Sequence, residues 1–214
     1  MGTDIDATST QPTTLVGLLQ FRASYQADQV AYTFLQDGET QAKTLTYQEL
    51  DRRAQVIATK LQSMDALGER ALLLYPPGLD YIVAFFGCLY AGVVAVPAYP
   101  PRPNRSMVRL QSIFRDAQSK LALTTLTIMT GIEKTLEQSP DLKKLSWITT
   151  DEASDEKTSK SQTCSRQKLR VEQQSLAFLQ YTSGSTAAPK GVVISHENLM
   201  HNLQLISQCF GHTP

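Results

Sequence analysis

The amino-acid sequence is most constrained by an alternation of short apolar runs and helix-like segments between residues 71 and 149. The run at residues 71–75 is stopped by Pro76-Pro77-Gly78, which is typical of a strand covered on both faces. The same patterning predicts strands at residues 93–96, 121–125 and 145–149, and helices at residues 79–91, 107–117 and 128–138. This order predicts an α/β fold with a largely parallel sheet flanked by helices.

Residues 81–96 carry no charge, so a transmembrane helix has to be weighed against a buried one. Gly87 and Gly92 interrupt this run, Pro97 closes it, and its last four residues suit a strand better than a helix. We therefore predict a buried helix, a turn at Gly92 and a core strand, with no membrane span.

The region before this alternation contains recognisable local signals. After a polar leader at residues 1–13, which we expect to be mobile, Thr14 can cap a helix at residues 15–25. A strand at residues 30–35 is predicted to pair with residues 43–46 as a hairpin. Thr46 and Glu49 stand at capping-box spacing and open a second helix that should end near Gly68. One main unit, residues 14–214, is expected, with a polar loop at 151–170.

The charge and cysteine content exclude several classes of function. Twenty basic and 20 acidic residues cancel, so no global field attracts nucleic acid or an anionic membrane. The three cysteines, Cys88, Cys164 and Cys209, lack metal-ligand spacing, and two of them lie in apolar or helical contexts that predict buried, inert thiols. We expect no metal centre and a reducing, cytoplasmic setting.

The segment from Tyr181 to Gly191 is rich in hydroxyl residues and glycine and contains Lys190. Small residues allow backbone N–H groups to converge on an anion, and the hydroxyls and the lysine add donors, so the segment predicts a phosphate cradle. It is not a Walker A loop, because Pro189 precedes the lysine and Gly191 follows it. The residues alone leave a second interpretation open, a solvated loop on the surface.

A last helix is predicted after Ser195, with Leu199, Leu203, Ile206 and Phe210 facing inward. His196 and His201 lie near its start. They have no acidic partner at a telling spacing, so we expect surface or capping histidines rather than catalytic ones.

Three segments near the C-terminus carry a specific pattern, namely Tyr181-Thr182-Ser183-Gly184-Ser185-Thr186, Pro189-Lys190-Gly191 and Ser195-His196-Glu197-Asn198-Leu199. This pattern resembles the phosphate-loop signature of the adenylate-forming superfamily, which includes acyl-CoA synthetases, luciferases and the adenylation domains of peptide synthetases. One position departs from it, since Ala187 stands where most members have glycine.

Further segments narrow the resemblance, namely Leu74-Tyr75-Pro76-Pro77-Gly78, Phe85-Phe86-Gly87-Cys88-Leu89-Tyr90-Ala91-Gly92 and Val96-Pro97-Ala98-Tyr99-Pro100-Pro101-Arg102-Pro103-Asn104-Arg105. They are similar to the fatty acyl-AMP ligases, which often load polyketide or lipopeptide assembly lines. The resemblance implies that the chain is the N-terminal portion of the large domain of such an enzyme.

The resemblance also implies the chemistry and its site. A fatty acid is activated by ATP with Mg²⁺ to an acyl-adenylate and pyrophosphate, and the acyl group then passes to the phosphopantetheine arm of an acyl carrier protein. The residues implied to hold the β- and γ-phosphates are Thr182, Ser183, Gly184, Ser185, Thr186 and Lys190.

The family's acyl-pocket, adenine and ribose motifs, and its catalytic lysine, are expected beyond Pro214. We therefore expect no turnover by these residues alone, and no catalytic residue is assigned among them. An acyl-CoA synthetase and a non-catalytic relic or interaction module stay open as alternatives.

Overall fold

A computed structural model of the chain describes residues 12–101, 107–137, 139–151, 170–182 and 189–211. The mobile leader predicted at residues 1–13 lies outside the described residues up to position 11. The polar loop predicted at residues 151–170 also lies outside them, apart from its two end residues.

The first helix and the first hairpin form where the local signals predict them. Helix α1 (Leu15–Tyr25) begins after Thr14, whose hydroxyl accepts the N–H of Gly17 at 3.0 Å. Strands β1 (Val30–Leu35) and β2 (Ala42–Thr46) pair antiparallel as a separate two-stranded sheet. Both predictions are confirmed.

Helix α2 (Tyr47–Gln62) opens with the predicted capping box. The Thr46 hydroxyl accepts the N–H of Glu49 at 3.2 Å, and the Glu49 carboxylate accepts the N–H of Thr46 at 3.0 Å. The prediction that this helix ends near Gly68 is wrong, because the chain leaves the helix after Gln62.

The early end of α2 follows from a reversal of the chain. Asp65 takes a left-handed conformation with φ 52°, and the residue after it, Ala66, is buried in the core. Gly68 then joins a different part of the fold, since its N–H donates to the carbonyl of Gly92 at 2.9 Å. Gly68 therefore makes a tertiary contact and does not end a helix.

Six strands form the central sheet, namely β3 (Arg70–Leu74), β4 (Val94–Ala98), β5 (Leu121–Thr124), β6 (Ser146–Thr149), β7 (Leu176–Thr182) and β8 (Lys190–Ser195). Their order is β6-β5-β3-β4-β7-β8, and every neighbouring pair is parallel except β7 and β8. The predicted α/β class with a largely parallel sheet is confirmed. Strand β4 runs two residues beyond the prediction, through Pro97. The sheet accommodates this proline because β4 pairs with β7 through only one residue pair, Ala95 with Phe178.

The remaining helices are α3 (Leu79–Ala91), α4 (Val108–Ala117), α5 (Leu126–Glu137), α6 (Pro140–Lys143) and α7 (His196–Phe210). Helices α1 to α3 pack on one face of the sheet, and α4 to α6 pack on the other. The first core lies between the sheet and helices α1 to α3, and the second core lies between the sheet and helices α4 to α6. Side chains of β3 alternate between them, since Ala71 and Leu73 face the first core and Leu72 and Leu74 face the second. The result is three layers with the sheet in the middle.

The uncharged segment forms a buried helix, as predicted. Eight of the 13 residues of α3 are buried within the protein, and Gly92 ends the helix in a left-handed conformation. Among the helices that the structure describes, none is both long enough and apolar enough to cross a membrane.

The predicted inward face of α7 is wrong for most of its length. Leu203 and Ile206 are exposed, and Phe210 is 75% exposed. Within the described chain, α7 packs mainly through its N-terminal half, where Leu199 contacts the first core. The apolar spacing of this helix is therefore real, but no described element covers its C-terminal half.

His196 was expected to be a surface or capping histidine rather than a catalytic one, and the surface position is wrong, whereas a capping contact is present at the start of α1. His196 is only 1% exposed, and its Nδ1 accepts the N–H of Leu15 at 3.3 Å, which ties the start of α7 to the first turn of α1. The predicted Ser195 cap is confirmed, because its hydroxyl accepts the N–H of Asn198. His201 is exposed, as predicted.

The cysteines divide into two environments. Cys88 is fully buried, and this burial raises the pKa of its thiol to about 12, so it stays an inert thiol as predicted. Cys209 is exposed, so the expectation that it is buried is wrong. It lies in the C-terminal half of α7, which no described element covers. Cys164 lies outside the described residues.

Candidate functional site

The segment predicted as a phosphate cradle is the end of the β7–β8 hairpin. Tyr181 pairs with Gly191 and Thr182 pairs with Lys190, so the antiparallel ladder runs into both ends of the predicted loop. Of the six residues implied to hold phosphate, the structure places Thr182 and Lys190. The other four, Ser183, Gly184, Ser185 and Thr186, lie outside the described residues, together with Ala187.

Thr182 and Lys190 lie directly opposite each other in the ladder, and both are exposed. Cross-strand partners project from the same face of a hairpin, with Cβ atoms about 5 Å apart. One hydroxyl donor and one ammonium group therefore stand side by side. This arrangement can present both groups to a single anion.

The opposite face of the hairpin holds Tyr181. Its hydroxyl donates to Asp116 Oδ2 on α4 at 2.5 Å, and its side chain packs against the second core. Burial, together with this bond to a carboxylate, raises the pKa of Tyr181, so the phenol keeps its proton. The ring also occupies the space beside Gly191, where an added Cβ would lie 2.9 Å from Tyr181 Cζ. Only glycine fits at that position without a shift of the ring.

A cavity of about 540 Å³ lies beside the hairpin, at the carboxyl ends of β3 and β4. Parallel sheets with helices on both faces characteristically bind ligands beyond the carboxyl ends of their strands. Aromatic and proline residues make up nine of the 16 that line it, namely Tyr32, Phe34, Tyr75, Pro76, Pro77, Tyr81, Pro97, Tyr99 and Tyr181, and Arg109 and Ile113 of α4 are among the others. Its size suits part of an organic molecule rather than an ion.

One residue of the cavity wall, Tyr75, belongs to a set of buried hydroxyl groups at the ends of the strands. The Tyr75 and Thr150 hydroxyls share a 2.8 Å hydrogen bond, and Thr124 donates from Oγ1 to the carbonyl of Leu74 at 2.7 Å. Burial raises the pKa of Tyr75, so this phenol stays neutral and serves as a structural link. These bonds hold the carboxyl ends of β3, β5 and β6 in register.

Sequence reasoning did not identify this aromatic wall as part of a site. A signal for it is present, because Tyr-Pro-Pro occurs directly after two neighbouring core strands, as Tyr75-Pro76-Pro77 and as Tyr99-Pro100-Pro101. Parallel strands end at the same edge of a sheet, so two such motifs could have been expected to meet there. Tyr181 could not have been added in this way, because its place depends on the hairpin.

Among the residues that the structure describes, metal ligands do not accumulate at this site. Across the described ranges, no group of three or more His, Cys, Asp or Glu residues could hold a metal ion. The last described residue before residues 183–188 is Thr182, and its hydroxyl oxygen is a possible metal ligand.

The fold and the site together define an α/β protein whose parallel sheet ends in an antiparallel hairpin carrying a hydroxyl and an ammonium group beside an apolar cavity. The sequence profile of the AMP-binding enzyme family matches residues 19–214. The chain belongs to this family.

Two relatives that are similar to the chain are fatty-acid ligases. It is 47% identical over 204 residues to the medium-chain-fatty-acid–[acyl-carrier-protein] ligase JamA of Moorena producens, a match that covers 94% of this chain and 34% of the relative. It is 35% identical over 190 residues to the long-chain-fatty-acid–AMP ligase FadD23 of Mycobacterium tuberculosis, covering 87% of this chain and 32% of the relative. The chain thus spans about a third of the length of these relatives.

Solved structures agree with the fold. A fatty acyl-adenylate ligase from L. pneumophila, crystallised with acyl adenylate and pyrophosphate, superposes with a TM-score of 0.78 at 35% identity. That match covers 95% of this chain and 34% of the other. A fatty acid AMP ligase from Legionella pneumophila superposes with a TM-score of 0.80 at 33% identity, covering 98% of this chain and 35% of the other. Both structures therefore support the α/β fold class that the sequence predicts for this chain.

Proposed function

We propose that residues 14–214 are the N-terminal part of the adenylation domain of a fatty acyl-AMP ligase. In the complete enzyme, a fatty acid carboxylate attacks the α-phosphate of ATP, which forms an acyl-adenylate and releases pyrophosphate. The acyl group then passes to the phosphopantetheine thiol of an acyl carrier protein. The observation that carries this proposal is the 47% identity, over 94% of the chain, to an acyl-carrier-protein ligase.

The β7–β8 hairpin supplies the phosphate contacts in this proposal. Thr182, Ser183, Gly184, Ser185, Thr186 and Lys190 hold the β- and γ-phosphates. The cross-strand position of Thr182 and Lys190 supports this role, because both side chains project from one face. Catalysis of such a transfer rests mainly on positioning and on charge stabilisation, which hydroxyls, backbone amides and an ammonium group provide.

The donor set fits Mg²⁺ that arrives with the nucleotide. Mg²⁺ keeps several water ligands and commonly binds through substrate phosphates and one or two protein oxygens. A hydroxyl near Thr182 would serve as such an oxygen, and no resident cage of carboxylates is found among the described residues. The ion would neutralise phosphate charge, while the protein holds the nucleotide in place.

The apolar cavity supports an organic substrate beside the hairpin. Its aromatic and proline wall binds apolar groups without a charge penalty, and Tyr181 belongs both to this wall and to the hairpin. A cytoplasmic location stays a prediction.

The proposal is tested in a polypeptide in which this chain replaces the matching third of the Moorena producens ligase. We expect fatty-acid-dependent ATP–pyrophosphate exchange, and about a 100-fold loss on Lys190→Ala, the size seen when one charge-stabilising group is removed. Lys143→Ala is the matched control, because this exposed lysine belongs to α6, at the opposite edge of the sheet.

Each outcome has a distinct meaning. Exchange that survives Lys190→Ala contradicts the role of the hairpin. Acyl transfer to coenzyme A in preference to the carrier protein assigns a fatty-acid–CoA ligase instead. A folded hybrid without exchange identifies this chain as a non-catalytic relic or interaction module.

A further inference from the structure

A single side chain connects the hairpin to the helix layer next to it. Tyr181 precedes Thr182 on β7, and its hydroxyl donates to Asp116 Oδ2 on α4 at 2.5 Å, 65 positions away in the sequence. We propose that Tyr181 and Asp116 are positioning residues that hold Thr182 and Lys190 in register for phosphate. The inference rests on the proposed function and assigns residues to the same site.

The seat of the Tyr181 ring is built by both strands of the hairpin. Tyr181 belongs to β7, and Gly191, its partner in the ladder, belongs to β8. A Cβ at Gly191 would lie 2.9 Å from Cζ, 3.0 Å from the hydroxyl oxygen and 3.2 Å from Cε1 of this ring. The ring therefore lies across β8, and the bond to Asp116 restrains both strands at once.

Two neighbouring cross-strand pairs form the two faces of the hairpin, one anchored to α4 and the other exposed. Tyr181 and Gly191 form one cross-strand pair, and Thr182 and Lys190 form the next pair along the ladder. Successive side chains in a strand point to opposite faces, so Tyr181 points away from the face that carries Thr182 and Lys190. Tyr181 acts on phosphate only through the backbone, by fixing where these two residues stand.

The chain offers a matched control for this bond. The hydroxyl of Tyr90 on α3 donates to Asp51 Oδ1 on α2, also at 2.5 Å, on the other face of the sheet. Tyr90→Phe and Tyr181→Phe each remove one tyrosine–aspartate hydrogen bond and keep the ring. A general loss of stability affects both variants, whereas loosening of the hairpin affects only the second.

The first test measures amide hydrogen exchange in the 214-residue chain, at residues 180–182 and 190–192. We expect Tyr181→Phe and Asp116→Ala to accelerate exchange there roughly tenfold, as for loss of one hydrogen bond to a charged group. Asp116→Asn keeps an oxygen acceptor and should restore most of the protection. Unchanged exchange in Tyr181→Phe, or equal acceleration by Tyr90→Phe, overturns the inference.

The second test measures steady-state ATP–pyrophosphate exchange in the same hybrid enzyme. We expect Tyr181→Phe to raise the KM for ATP roughly tenfold with a smaller change in kcat, and Tyr90→Phe to change neither. Asp116→Asn should lie near the parent hybrid. An unchanged KM in an active Tyr181→Phe hybrid overturns the inference. An inactive parent hybrid counts against the proposed function, and the inference is then decided by the amide hydrogen exchange measurement alone.

Discussion

Gly87 lies at a close contact between helices α2 and α3, so its replacement by alanine tests how tightly these helices pack. An added Cβ would lie 2.6 Å from Cγ2 and 2.7 Å from Cβ of Ile57, and 3.4 Å from the carbonyl oxygen of Ala54. The Cβ of Ile57 is bonded to the backbone and cannot rotate away. The clash is relieved only if the two helices separate.

Two opposing effects set the magnitude. Alanine in place of glycine in a helix interior gains up to about 1 kcal/mol of stability. Overpacking of a well-filled core costs about 1–3 kcal/mol, and the short distances at Ile57 place Gly87→Ala in the upper part of that range. We therefore expect a net loss of about 1–2 kcal/mol in the free energy of unfolding.

Gly131→Ala is the matched control. Gly131 lies within α5, and no atom lies within 4 Å of the Cβ that alanine would add. This variant should gain roughly 0.5–1 kcal/mol, because only the helix propensity changes. Urea unfolding of the 214-residue chain, followed by circular dichroism and Trp147 fluorescence, measures both variants. A Gly87→Ala variant as stable as Gly131→Ala would refute the close packing of α2 and α3.

Two further predictions concern buried groups. Burial lowers the pKa of His196 to about 4 from 6.5, so its stabilisation is present above pH 6.5 and is lost as the pH falls towards 4. Urea titrations at pH 7.5 and at pH 4.5 measure this loss. Between these pH values the free energy of unfolding should fall roughly 2–3 kcal/mol further for the wild type than for His196→Gln. Equal losses in the two proteins would contradict this prediction. In a Cys164→Ser variant, a thiol reagent at pH 8 should label Cys209 at once and Cys88 only after unfolding, because Cys88 is buried with its pKa raised to about 12. Rapid labelling of both thiols would show that the α3 core opens.

The starts of three helices were predictable because their causes are local. Thr14, the Thr46–Glu49 pair and Ser195 each cap a helix through atoms within three residues. Strand positions were predictable for a similar reason, since apolar runs of this length mark strands buried on both faces. The largely parallel sheet followed from the order of these elements.

The candidate site was predictable in kind but not in extent. Composition singled out the segment around Lys190, yet it could not show that the ladder continues to Thr182 and Lys190, because antiparallel pairing depends on the partner strand. The aromatic wall of the cavity combines residues of β1, the β3 and β4 ends, α4 and β7, which only the fold brings together.

The sequence by itself determined the α/β class, the position of the phosphate-binding candidate, and the helices and strands apart from the end of α2 and the short helix α6, because each of these depends mainly on residues close together in the chain. Only the tertiary structure decided which apolar faces are covered and which polar groups meet. The exposed half of α7, the burial of His196 under α1 and the bond between Tyr181 and Asp116 all depend on packing between distant segments. Periodicity indicates that a helix has an apolar face, but the physical effect of that face depends on what packs against it.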